Sequence, residues 1–100
     1  MLGGRTLQEA HLIASIHELF SSDERLLEFF FHHKRFDLRL PREELLNEAQ
    51  ALGPGAWILI KVGLDFWDGS GRATVNELLR ILDEETLLSV MGAILKFREI

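Results

Sequence analysis

Several oxygen-bearing side chains gather in one short stretch, residues 66–77, FWDGSGRATVNE. Asp68, Ser70, Thr74 and Glu77 follow one another closely, and Asp65 lies just ahead of them. Carboxylates and hydroxyls spaced around two glycines can be turned by a tight loop toward one point. A convergent set of hard oxygens is the chemistry that holds a divalent cation such as calcium.

The stretch is similar to an EF-hand loop in Asp68, Gly69, Ser70, Gly71 and Glu77. The resemblance covers twelve residues, with an apolar helix expected on each side. It implies ligands at Asp68, Ser70, Thr74 and Glu77, a carbonyl at Arg72, and the sharp turn at Gly71. The chain departs from the pattern where the first carboxylate belongs, because Phe66 has no oxygen to offer. Ala73 stands where a large apolar residue pairs two such loops, the chain has no second loop, and Lys61 and Arg72 add positive charge. A plain turn explains the same letters: glycine supplies positive φ angles, and Asp or Ser bonds the local backbone. The turn reading is preferred and no metal is favoured. Asp65, Asp68, Ser70, Thr74 and Glu77 are the ligand set of the calcium alternative, with Asp65 one residue early. No cofactor is implied.

The four histidines suggest less. His11 and His17 are six apart and fall on different helix faces, and the adjacent His32 and His33 diverge by about 100°. Neither pair has the i, i+4 spacing of a zinc-binding helix. No phosphate loop, nucleophile elbow or paired-carboxylate motif is present, so an enzyme acting on a small-molecule substrate is not expected.

A binding surface is better supported. Residues 32–42, HHKRFDLRLPR, carry a local charge of +3 in a chain of net −5, which leaves −8 on the rest. Ahead of them stand Phe29, Phe30 and Phe31. Three consecutive helical positions sweep about 200°, so one of these rings is expected outside a single core stripe. A phenylalanine rimmed by basic groups has the anatomy of a protein interface. The predicted interface residues are Phe29, Phe30, His33, Lys34, Arg35, Arg39 and Arg42. Burial of the rings against Trp57 or Trp67 is the alternative. The same basic segment could serve a nucleic-acid-binding regulator, with the last two helices as its reader. Asp83, Glu84 and Glu85 would then face a polyanion, and the net charge opposes it too.

These residues are positioned by helices. The chain has 100 residues, 47% of them hydrophobic and 27% charged, the balance of one globular domain. Periodicity and start signals predict an all-α bundle of about six helices, at 6–20, 22–35, 41–52, 54–67, 74–82 and 84–98, behind a flexible N-terminus at 1–5. Thr6 with Glu9, Ser21 with Glu24, and Thr74 with Glu77 have capping-box spacing. Pro41 and Pro54 suit helix starts, Gly53 a helix end, and Asp83 a cap. Alternation at Phe36, Leu38 and Leu40 predicts an extended linker. Residues 54–67 carry competing strand and helix periods; thirteen or so residues is long for a strand, and a helix is expected. Inward stripes are expected at Leu12, Ile13, Ile16, Leu19 and Phe20; at Leu26, Leu27, Phe30 and Phe31; and at Leu45, Leu46, Ala49 and Leu52. The last two helices should turn in Val75, Leu78, Leu79 and Leu82, then Leu87, Leu88, Met91, Ile94 and Leu95.

The chain has no cysteine and MLGGR lacks a signal-peptide pattern, so a cytoplasmic location is expected. No apolar run is long enough to span a bilayer. The expected function is a non-catalytic interaction domain whose partner is a protein or a second copy of the chain. In architecture alone, without a motif, it resembles the death-domain style of adaptor.

Overall fold

The computed structural model describes the backbone of residues 7–32 and 37–98 and the side chains of residues 9–32 and 37–98. Six helices follow in order: α1 (Leu7–Leu19), α2 (Arg25–Phe30), α3 (Arg42–Leu52), α4 (Pro54–Asp68), α5 (Val75–Ile81) and α6 (Glu84–Arg98). The two-residue strands β1 (Phe31–His32) and β2 (Asp37–Leu38) lie between α2 and α3. The radius of gyration, 12.8 Å, is that expected of a compact globule of about 100 residues.

The all-α expectation holds, and α4 is its centre. Pro54 stands in the first turn of α4 and Gly53, with φ 122°, separates it from α3. Ile58, Leu59, Ile60, Val62, Gly63 and Leu64 of α4 are all buried, so this helix is enclosed on most sides. It packs along α3 and also meets α1, α2, α5 and α6, while α1 lies along α6. Ile16, Leu19, Phe20, Leu26, Phe30, Leu45, Ala49, Val90 and Ala93 complete the core around it. Asp83 accepts the Thr86 N–H at 2.8 Å, as expected of a cap on α6.

Several expectations are corrected. The second helix spans Arg25–Phe30 instead of 22–35. Its start is delayed because the chain turns through residues 20–24, where Asp23 N–H donates to the Phe20 carbonyl. Ser21 does not cap α2; its hydroxyl donates to the Glu18 carbonyl at 2.7 Å. Asp23 instead accepts the Arg25 N–H. At the other end, Phe31 is extended (φ −129°, ψ 135°) and pairs with Leu38 in an antiparallel register that also sets His32 against Asp37. The extended linker is therefore half of a small hairpin. Thr6, residues 1–5 and residues 33–36 lie outside the described residues.

The stripes of the last two helices are corrected as well. Val75 and Leu79 of α5 are exposed, and only Leu78 and Leu82 are half-buried. In α6 the buried residues are Val90 and Ala93. Leu88, Met91, Ile94 and Leu95 are exposed by 59%, 51%, 43% and 55%. Small side chains let α1 and α6 approach closely, and a large stripe at the contact would hold them apart. Polar groups flank the contact of α1 and α6: the Ser21 and Ser89 hydroxyl oxygens lie 3.3 Å apart, and Lys96 Nζ stands 3.5 Å from Glu18. Leu52 of α3 is also exposed.

Candidate functional site

The loop between α4 and α5 is built from its backbone outward. Gly69 ends α4 in the left-handed region (φ 78°), and its N–H donates to the Leu64 and Asp65 carbonyls. Asp68 Oδ1 accepts the Ser70 N–H at 3.0 Å. Gly71 is buried against α4, where a Cβ would overlap the Lys61 carbonyl oxygen. Arg72 has φ 58°, a conformation that costs a non-glycine residue free energy. It is held there because Asp65 accepts the N–H groups of Arg72 and Ala73 at 2.8 and 3.0 Å.

Thr74 and Glu77 are engaged as well. Thr74 Oγ1 accepts the Glu77 N–H at 3.1 Å and Glu77 accepts the Thr74 N–H at 2.9 Å, closing the expected capping box. Lys61 places its ammonium between the two oxygens of Glu77, at 3.1 and 3.0 Å. The same ammonium lies 4.3 Å from the centre of the Trp57 ring. The Lys61 ammonium, with the Thr74 N–H, holds the Glu77 carboxyl below its ordinary pKa. The bidentate carboxylate that would take calcium in an EF-hand thus holds a lysine of the preceding helix. Phe66 packs: its ring stacks on Phe97 of α6 at 4.8 Å and 17°. Ser70 Oγ is enclosed and has no partner among the described residues. No group of three His, Asp or Glu side chains able to hold a metal occurs among the described residues.

The predicted interface is placed differently. Phe30 is fully buried, 5.5 Å from the Phe20 ring centre and 6.2 Å from that of Trp67, so it cannot anchor a partner. Phe31 is buried edge-on to Trp67 at 5.9 Å. The 200° sweep is avoided because the helix stops at Phe30. Phe29 is half-buried under the Arg39 guanidinium, 4.8 Å from the ring centre. Arg39 also donates to the Phe29 carbonyl at 2.7 Å and to Glu48 at 2.9 Å, tying the hairpin to α3. Arg42 is exposed, 3.9 Å from Glu43. His33, Lys34 and Arg35 lie outside the described residues. Of the histidines, His17 and His32 are exposed and His11 is half-buried.

A groove of 510 Å³ runs past Asp23, Arg25, Phe29, Leu52 and Pro54. Its two charged groups face each other, with Arg25 bonding both oxygens of Asp23 at 2.9 and 2.8 Å.

Sequence reasoning missed the outer face of α6. Leu88, Met91 and Leu95 stand at i, i+3 and i+7, and Ile94 borders them, so they form one strip on one side of the helix. The strip is on the order of 400 Å² of apolar surface, the size of the largest patch on a typical monomer, which is often functional. Its period was visible in the sequence; its direction was not. No protein-family model, curated protein or solved structure matches the chain.

Proposed function

We propose that this chain is a non-catalytic protein-interaction domain that docks another protein on the outer face of α6. The observation that carries the reading is the exposure of Leu88, Met91, Ile94 and Leu95 together on one helix. Isolated exposed leucines mean little, but a strip of four with a charged residue at each end has the form of an interface core and rim. The rival sites are less free. The loop carboxylates Asp65 and Glu77 are bonded within the chain, and Arg39 is bonded to Glu48. Among the described residues no helix is long and apolar enough to cross a membrane, so a bilayer-spanning role does not compete for this face. The proposal keeps the cytoplasmic setting expected from the composition.

The test is a photo-activated crosslinking amino acid at position 91, with one at Glu43 as control, in the full chain inside cells. A defined protein adduct at 91 that is absent at 43 supports the reading. Irradiation that yields no adduct at 91 removes it.

A further inference from the structure

The outer face of α6 has a symmetry that its amphipathicity alone does not require. Counted from Met91, the strip reads Glu84 at −7, Leu87 and Leu88 at −4 and −3, Ile94 and Leu95 at +3 and +4, and Arg98 at +7; Leu87, at its edge, is half-buried and the others are exposed. Positions seven apart recur on nearly the same side of a helix, drifting by only about 20° per heptad. Glu84, Met91 and Arg98 therefore mark one line, flanked by the four aliphatic residues. Reversing the helix maps leucines onto isoleucine and leucine, methionine onto itself, and an acid onto a base. Glu84 and Arg98 are exposed, and neither forms an ion pair among the described residues.

Resting on α6 as the docking face, we infer that its partner is a second copy of this chain, paired antiparallel about a two-fold axis at Met91. An isologous contact places each residue against its symmetry mate, so only a self-complementary strip can use it. In the antiparallel register Met91 meets Met91. Leu87 and Leu88 meet Ile94 and Leu95, and each Glu84 meets the other copy's Arg98. A parallel pair would set Glu84 against Glu84 and Arg98 against Arg98. Opposite charges at both ends fix register and orientation more than affinity. Packed at heptad spacing along α6, 15 residues long, the two copies bury an area near the lower limit for a specific dimer, roughly 1,000 Å² in total. A reversible dimer with a dissociation constant on the order of 10 μM is expected.

The experiment is light scattering and sedimentation of the full chain from about 1 μM to 1 mM. Wild type should pass from monomer to dimer. Glu84→Arg and Arg98→Glu should each weaken dimerisation at least about tenfold, and the two variants mixed in equal amounts should form heterodimers. The double variant Glu84→Arg/Arg98→Glu should recover to within about threefold of wild type. Met91→Cys, in a chain with no cysteine of its own, should crosslink to itself under oxidation. A wild type that stays monomeric to 1 mM overturns the inference, as do single variants that dimerise unchanged. If the monomer nevertheless yields an adduct of a different protein through position 91 in cells, self-pairing fails and the docking face stands. A monomer with no adduct removes both.

Discussion

In the loop after α4, nearly every polar group meets a partner inside the chain; on the outer face of α6, four large apolar side chains stand half in water. The loop has the residue types of a site, and the helix has the residue types of a core. Each does the opposite of what its composition suggests. Whether a group can serve an outside partner depends on what the fold leaves unengaged. Asp65 and Glu77 are held by Arg72, Ala73, Thr74 and Lys61, whereas Leu88 and Met91 stand outward on a helix that buries Val90 and Ala93.

Substitutions can break or sharpen this contrast. The largest effect is expected where an apolar residue is fully enclosed: Phe30→Ala should cost about 3–5 kcal/mol in chemical denaturation. Gly71→Ala should cost on the order of 3 kcal/mol, because the added carbon displaces the loop from the Lys61 carbonyl. Removing the capping hydroxyl with Thr74→Ala should cost about 1 kcal/mol. Acid should act in the same region. The folded pKa values of Glu77 and Asp83 are lowered, by the Lys61 ammonium and by the Thr86 N–H respectively. Stability from these groups is therefore complete above the ordinary carboxylate range and is lost as pH falls through their lowered values. Urea midpoints should decline from pH 5 downward, and Glu77→Gln with Asp83→Asn should flatten that decline. On the other side of the contrast, Leu88→Ala and Met91→Ala should change monomer stability by no more than about 0.5 kcal/mol while weakening association. Smallest of all, millimolar calcium should leave Trp67 fluorescence and the melting temperature unmoved. A saturable response would return the loop to the list of binding sites.

Much of the fold was readable because its signals are local. Pro54, the Thr74–Glu77 spacing, Asp83 and the length of the 54–67 segment each mark a boundary with a mechanism of its own. The end of α2 was not readable, since Phe29–Phe30–Phe31 continues a helical pattern equally well. The pairing of Phe31 with Leu38 decides it, and that depends on a partner strand. The face of α6 was unreadable for a related reason. Val90, Ala93 and Phe97 form a second apolar strip beside the larger one, and hydropathy favours the bulkier side chains. The choice rests on how α6 packs along α1, a contact between the two ends of the chain. For the loop, the absence of a carboxylate at Phe66 was legible, but the bond from Lys61 to Glu77 required knowing how α4 and α5 meet.

The contact between the Ser21 and Ser89 hydroxyls joins positions 68 apart in the chain. The neighbouring α3, α4 and α5 meet through short connections, whereas α1 and α6 must close nearly the whole chain before their contact repays the entropy lost. The α1–α6 contact is thus expected to form late in folding. Until it does, α6 shows apolar surface on both sides, and an α6 from another molecule can compete for the place beside α1. Refolding should therefore slow, and exchange of α6 between molecules should increase, as protein concentration rises.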